Sequence, residues 1–386
     1  MEARKLIISG YYGFGNSGDE AVLWSILTAL EAEGEKAGIP LQPIVLSNDP
    51  AKTRELFGVE AVPRAHLRSV VREIREADGL ISGGGSLLQD VTGPKTIPYY
   101  LGIIRIAQWY AKPTFIYAQG VGPVRRPLFR RMIGNVLKKC TYISVRDAES
   151  ADLLAECGLD RERIDVVPDP VIGAPRGEAL FKYAGSDSVA NGNSVTSTNR
   201  ASALPLIGVS VRFWNEDESE LRAIADALKQ VASTRPVRIR MLPFYPPGDV
   251  QASKRIVDQL LADERFVSTS VVEIAPNREH PAAMMRETAN CDVLVGMRLH
   301  SLIYAAAQGV PMVGISYDPK VDVFLKQIDT EAAIRTGAPD AARLAQEIMH
   351  RLDAGADWMA SRTAKVEALR QKCMVPAQQI CRFFRI

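Results

Sequence analysis

Short, almost wholly apolar runs alternate along this chain with stretches of helical period. The runs lie at residues 5–9, 42–46, 79–82, 113–118, 142–145 and 164–167, then at 205–211, 237–242, 271–274, 293–295 and 310–315. They lack the in-out alternation of a half-solvated strand. Each therefore reads as a strand covered on both faces, as in a parallel sheet. Helical patterns fill the intervals at 20–33, 67–77, 103–110, 128–139 and 148–157, and at 218–232, 249–261, 277–291 and 301–308. Two further helices, 339–352 and 358–381, close the chain. This alternation predicts an α/β protein built from two Rossmann-like, doubly wound sheets.

The plan is interrupted once. Residues 183–204 are rich in Ser, Asn, Gly and Thr and carry no apolar period, which is the composition of a linker or surface excursion. The expected division is a first domain at 1–182, a linker at 183–204, a second domain at 205–360, and a C-terminal helix at 361–386 packing back on the first domain. Gly-rich and charged turns recur where strands end and helices begin, and the opposite turns are plainer. Such a sheet carries its ligands at the carboxyl edge of its strands.

Composition narrows the function without naming it. The 386 residues carry a net charge of +2, which leaves no electrostatic footprint for nucleic acid. Five cysteines, at 140, 157, 291, 373 and 381, form no CxxC and suit reduced thiols in a cytoplasmic protein. Met1 leads within a few residues into a first strand rather than a signal peptide. No apolar run reaches the roughly 20 residues that span a bilayer. The basic helix at 128–139 allows at most a peripheral contact with the inner face of a membrane.

The richest chemistry lies at 292–317, a strand, turn, helix and strand. Arg298 and His300 stand where the strand ends and the helix begins, an edge that favours anions. In the first half, GYYGFGNSGDE joins a strand to a helix that Asn16 or Ser17 caps, with Asp19 beside it. It is not GxGxxG, which argues against a dinucleotide site. The run Gly83, Gly84, Gly85 is read as a ligand-facing turn, because three glycines in a row exceed what packing needs. Gln89 and Asp90 follow it and suit sugar hydroxyls. His280 precedes a proline at a helix start and reads as a cap. His66 and His350 read as surface residues.

Three stretches together, GYYGFGNSGDEAV, GGGSLLQD and GMRLHSLIYAAAQGVPMVGISYDPKV, resemble the polysaccharide pyruvyl transferase family, in particular its CsaB type. The resemblance implies two Rossmann-like domains facing each other across a cleft, a GT-B-like arrangement. It implies transfer from phosphoenolpyruvate, a co-substrate rather than a cofactor, onto a sugar as a ketal. For the CsaB type the acceptor is N-acetylmannosamine in a lipid-linked precursor of a secondary cell wall polymer. The 4,6-linked ketal then anchors S-layer proteins. The RLH triplet, here Arg298, Leu299 and His300, is the donor-binding and catalytic signature that the resemblance carries over.

That chemistry needs cations for a carboxylate and a phosphate, which suits the planar fork of arginine, and a general acid near neutral pKa, which suits histidine. Arg298 is the expected clamp, with the Leu299 backbone lining the site. His300 is the expected acid, or the group that assists phosphate departure. Arg212 is the second donor cation, Arg146 its alternative from the other domain, and Lys320 a third candidate in the loop after its strand. Asn16, Asp19, Gly84, Gly85, Gln89 and Asp90 are the expected acceptor side. No cluster with metal-ligand spacing is present, so no metal is expected. The competing readings are a GT-B glycosyltransferase using a nucleotide sugar and a non-catalytic sugar-phosphate binding protein. Oligomeric state is not encoded in any of these patterns.

Overall fold

The computed structural model describes residues 2–91, 93, 95–181 and 204–385. The chain forms two compact units, Met1–Gly173 with Ala368–Ile386, and Ala174–Glu367.

In the first unit the order is β1 (Arg4–Tyr12), α1 (Ser17–Ala37), β2 (Leu41–Ser47), α2 (Pro50–Phe57), β3 (Glu60–Pro63), α3 (Leu67–Glu76), β4 (Gly79–Gly83), α4 (Thr96–Trp109), β5 (Thr114–Gln119), α5 (Pro127–Leu137), β6 (Tyr142–Val145), α6 (Ala148–Glu156) and β7 (Ile164–Val166). In the second it is α7 (Glu178–Phe181), β8 (Leu206–Ser210), α8 (Ser219–Thr234), β9 (Arg238–Met241), α9 (Gly248–Leu261), α10 (Glu264–Thr269), β10 (Val271–Ile274), α11 (Pro281–Ala289), β11 (Val293–Gly296), α12 (Leu299–Gln308), β12 (Met312–Ser316), α13 (Pro319–Gln327), β13 (Ala332–Arg335) and α14 (Ala341–Lys372). Helix α15 (Val375–Arg385) follows and belongs to the first unit.

Each unit holds one all-parallel sheet. The first has strand order β3-β2-β1-β4-β5-β6-β7 and the second β10-β9-β8-β11-β12-β13. Both are doubly wound, and the order reverses between β1 and β4 in one and between β8 and β11 in the other. The central strands β4, β5, β8, β11 and β12 are buried along their whole length, which is why their sequences read as unbroken apolar runs. At these reversal points the loops diverge and leave a crevice at the carboxyl ends of the strands.

Several elements differ from the sequence reading. Residues 174–181 belong with the second unit, because Arg176 donates to the carbonyls of Ala306 and Ala307 and Gln308 Nε2 donates to Pro175 O at 3.0 Å. Residues 183–203 of the expected linker lie outside the described residues. Lys320 is not in a loop: Asp318 caps α13, and Pro319 opens it, so Lys320 sits in the first turn. The two expected C-terminal helices are divided differently. One helix, α14, runs through 353–357 with a kink at Ala354, and the break falls later, before α15. Gly355 stays in the helix because it lies against Pro311, whose Cγ would stand 2.8 Å from a Cβ there.

Candidate functional site

At the reversal point of the second unit, Gly296 of β11 pairs with Ser210 of β8, and Gly296 also pairs with Gly314 of β12. The segments leaving these three neighbouring strands carry Arg212, Arg298 with His300, and Lys320. Arg298 is the N-cap of α12, in extended conformation with ψ 128°. Its carbonyl accepts the Ser301 N–H at 3.0 Å and the Ser301 hydroxyl at 2.6 Å. Leu299 opens the helix with its side chain buried, and His300 follows, half-buried. Acids occupy the first turns of α1, α6, α8, α9 and α13. The first turn of α12, like those of α2, α3, α4, α5 and α11, has none, and a basic residue stands at its cap. The positive helix end and the guanidinium have the same sign, with Asp249 as the guanidinium's counter-charge.

Arg298 is held from below. Its Nε donates to Asp249 Oδ2 at 3.0 Å and its Nη2 donates to Oδ1. Asp249, in the first turn of α9, is 1% exposed, and its Oδ2 also accepts the Phe244 and Tyr245 N–H groups at 3.1 and 2.9 Å. Tyr245 stacks loosely on the guanidinium at 5.9 Å. One buried carboxylate thus fixes both the loop after β9 and the plane of the arginine fork. This bidentate grip orients Arg298 and leaves Nη1 unused by it.

Arg212 is held differently. Its guanidinium lies 5.3 Å from the Trp214 ring and 5.2 Å from the Tyr317 ring, and these rings meet edge-on at 4.7 Å. Among the described residues no carboxylate pairs with it. Aromatic faces position the cation without neutralising it. Lys320 Nζ shares the Tyr317 ring at 5.9 Å but is paired with Asp318 at 3.4 Å. The loop carrying Arg212 and Trp214 is anchored by Glu220, fully buried, whose carboxylate accepts the N–H groups of Trp214 at 2.9 Å and Asn215 at 3.3 Å.

Arg146 belongs to the first unit. It is buried, 3.2 Å from Asp169 and 3.7 Å from Asp147, and donates to Ser86 Oγ at 2.8 Å. Two carboxylates tie it into its own fold.

The other expected residues lie in the first unit, in the segments after β1 and β4. Asn16 is the cap of α1: its Oδ1 accepts the Gly18 N–H at 3.2 Å, and its Nδ2 donates to Asp19 at 2.6 Å. Glu20, in the first turn of α1, is buried and accepts the Gly13 N–H at 2.9 Å. Burial pushes its pKa up, and backbone N–H groups of residues 13–15 pull it back. It plays for the glycine loop the part that Glu220 plays after β8.

The triple glycine requires a correction. A Cβ on Gly84 would lie 1.8 Å from Val22 Cγ1 of α1, one on Gly83 would lie 2.8 Å from Ile26 Cδ1, and Gly84 and Gly85 both take positive φ. The Gly84 N–H donates to Tyr117 O at 2.9 Å and does not face a ligand. Close packing on α1 accounts for Gly83 and Gly84, and the left-handed turn for Gly84 and Gly85, where a Cβ on Gly85 would stand 3.0 Å from Asp19 Oδ1. Asp90 also has another task. Its carboxylate accepts the Arg125 and Arg126 N–H groups at 2.9–3.0 Å, which holds its pKa below the usual carboxylate value despite some desolvation. Gln89 lies half-buried in the same loop. His280 caps α11, as its position before Pro281 suggested: its Nδ1 accepts the Ala282 N–H at 3.1 Å.

Elsewhere in the second unit an open depression of about 1010 Å³ lies along β13, lined by Asp322, Lys326, Asp329, Arg335 and Arg343 among others. Its Arg335 is already paired with Asp322 at 2.8 Å, and none of the arginine–histidine group lines it. The arginine–histidine group at the reversal point is therefore taken as the candidate site. Among the described residues no cluster of three or more His, Cys, Asp or Glu side chains is placed to hold a metal, and no helix is long and apolar enough to cross a membrane.

Comparison with known proteins gives the same direction. A family model described as polysaccharide pyruvyl transferase matches residues 16–319. The amylovoran biosynthesis protein AmsJ of Erwinia amylovora is 21% identical over 393 residues, covering 89% of each chain. Among solved structures, Anabaena HepE in complex with UDP superposes with a TM-score of 0.61 at 12% identity over 99% of both chains. A putative UDP-N-acetylglucosamine 2-epimerase from Listeria monocytogenes gives 0.60 at 13% identity, over 98% of this chain and 95% of its own. These structural likenesses show a shared fold, that of GT-B glycosyltransferases and epimerases.

Proposed function

The chain belongs to the polysaccharide pyruvyl transferase family, and from that premise we propose that it moves the enolpyruvyl-derived group of phosphoenolpyruvate onto a sugar of a lipid-linked glycan, as a ketal. The observation that carries the reading is the pair of arginines at one reversal point. Arg298 is oriented by Asp249 beside an acid-free helix start, and Arg212 is held between Trp214 and Tyr317 without a carboxylate. A donor with a carboxylate and a phosphate close together needs two such cations. Arg212 is the better partner for Arg298, because Arg146 is already matched by Asp147 and Asp169. Lys320 stands at the edge of the pair, with Asp318 as its own partner at 3.4 Å.

In this reading His300 gives a proton to C3 of the donor, and a sugar hydroxyl attacks C2 and loses its own proton. The C2–O bond to phosphate breaks, and the second hydroxyl closes the ring. Of the two hydroxyl protons, one replaces that delivered to C3 and the other leaves on phosphate, so the sum is a diol and phosphoenolpyruvate giving ketal and hydrogen phosphate. The first unit, with Asn16 and Asp19 at its own reversal point and Gln89 in the loop after β4, is assigned the acceptor. N-acetylmannosamine of a secondary cell wall polymer is the acceptor that the CsaB likeness suggests, with synthesis on the cytoplasmic face of the membrane and S-layer anchoring as its use.

Steady-state kinetics of Arg212→Gln, Arg298→Gln and His300→Ala test the assignment. The arginine variants should raise KM for phosphoenolpyruvate about tenfold or more each. The histidine variant should lower kcat by roughly 10²–10⁴-fold. A variant that keeps near wild-type kcat/KM removes its residue from the site.

A further inference from the structure

The first unit contains a second arginine held by aromatic rings. Arg64 leaves the carboxyl end of β3, yet its guanidinium reaches over the reversal point. Its Nη1 donates to Gly10 O of β1 at 3.2 Å, and its Nη2 donates to the hydroxyl of Tyr100, on the helix after β4, at 3.2 Å. Four rings surround it, those of Tyr99 at 4.5 Å, Phe14 at 5.2 Å, Tyr100 at 5.4 Å and Tyr11 at 6.0 Å. Tyr11 and Phe14 are stacked 3.9 Å apart and nearly parallel, at 5°. The Tyr99 hydroxyl closes the arrangement by donating to Arg64 O at 3.0 Å.

Among the described residues no carboxylate pairs with Arg64, and its Nε–H has no acceptor. A guanidinium carries five N–H groups, and two are used here. The rings and the two hydrogen bonds fix its plane, so an incoming oxyanion meets a prearranged fork rather than a mobile chain. The stacked Tyr11–Phe14 pair beside it is half-buried, so its apolar rings are partly accessible. Phe14 lies two residues before Asn16, the N-cap of α1, which places the ring cage beside the start of that helix.

We propose that Arg64, on the platform of Tyr11 and Phe14, is a subsite of the first unit for a phosphate or carboxylate carried by the acceptor glycan, with the adjoining sugar ring against Phe14. The proposal rests on the acceptor assignment made above and adds to it an acidic acceptor and the residue that reads its charge.

The test is calorimetric titration of the full chain with four probes: inorganic phosphate, N-acetylmannosamine 1-phosphate, the neutral methyl glycoside of the same sugar, and phosphoenolpyruvate. The proteins are wild type, Arg64→Gln, Arg64→Lys and Arg298→Gln. The sugar phosphate should bind wild type and Arg298→Gln alike. It should bind Arg64→Gln roughly 10- to 100-fold more weakly, and Arg64→Lys in between. The glycoside should not distinguish the four proteins, and inorganic phosphate, which the donor arginines also attract, should weaken in both Arg64→Gln and Arg298→Gln. Equal binding of sugar phosphate to wild type and Arg64→Gln, or none to wild type, overturns the proposal and leaves Arg64 as a tie between loops. Loss of phosphoenolpyruvate binding in Arg64→Gln but not in Arg298→Gln overturns it too, by moving Arg64 to the donor. Should Arg64→Gln melt early, Arg64→Lys carries the comparison. Absence of pyruvyl transfer by wild type to any acceptor refutes the functional reading separately, since the binding results do not depend on turnover.

Discussion

Replacing Asp249 by asparagine exchanges one carboxylate oxygen for an NH₂ group where four N–H donors converge. Oδ2 takes Phe244, Tyr245 and Arg298 Nε at 2.9–3.1 Å, and Oδ1 takes Arg298 Nη2. An amide oxygen can keep the first three. Its NH₂ must then face Nη2, donor against donor, and the negative charge is gone. Asp249 is 1% exposed and the Arg298 side chain 17%, so water does little to compensate. Breaking a buried ion pair costs about 3–5 kcal/mol. With three of four acceptor contacts preserved, a loss of about 2–3 kcal/mol is expected. Local hydrogen exchange reads this most cleanly, because a chain of two units need not unfold in one step. Protection of the Phe244 and Tyr245 amides should fall roughly 30- to 150-fold. Arg298→Gln added to Asp249→Asn should cost less than the sum of the two, with a coupling of about 2 kcal/mol. KM for phosphoenolpyruvate should rise in Asp249→Asn although Asp249 itself touches no substrate in this account. Unchanged amide protection, or strict additivity of the two changes, would refute the idea that Asp249 orients Arg298.

Two other perturbations follow from the geometry. Gly84→Ala forces a methyl group to within 1.8 Å of Val22 Cγ1 at φ +55°, so overpacking and left-handed strain together should cost roughly 2–5 kcal/mol by denaturant unfolding. The added change Val22→Ala should recover the packing part only, and a stable Gly84→Ala would restore the ligand-facing reading of that turn. His280 is neutral by burial, with its pKa lowered to about 4 from 6.5. Its contribution is therefore present above pH 6.5, where both states are neutral. It is lost as pH falls from 6.5 to 4, because the unfolded chain binds the proton first. His280→Asn keeps a capping oxygen and removes the titration, so its melting temperature should fall less than that of wild type between pH 7 and pH 4.5; parallel pH curves would show that His280 does not titrate as described.

The fold was legible because its signals are strong and local. Fully buried parallel strands must be apolar on both faces, and β8, β11 and β12 announce themselves that way. Elements that were missed are short or amphipathic: α2, α10 and α13 each span under ten residues, and the edge strands β3 and β13 have exposed positions. The aspartate caps before α2 and α13, each followed by proline at the first helical position, are the signals that would have found two of them. Arg298 and His300 were visible as chemistry at a strand end. Their setting was not, because Asp249 lies 49 residues away in sequence and only the crossing of β9 beside β8 brings it near. The cages around Arg212 and Arg64 were hidden for the same reason, since Tyr317 comes from the loop after β12, and the rings at Arg64 come from β1, the glycine loop and α4. The triple glycine misled because composition alone does not reveal that Val22 and Ile26 press on it.

Purified full-length protein incubated with phosphoenolpyruvate and a lipid-linked N-acetylmannosamine disaccharide tests the central claim most directly. The account predicts phosphate release only when both substrates are present, with a matching gain of one pyruvate ketal, C₃H₂O₂, on the sugar by mass spectrometry. Phosphate release that does not depend on the glycan, or transfer of a hexose from a UDP-sugar in place of the ketal, would contradict it.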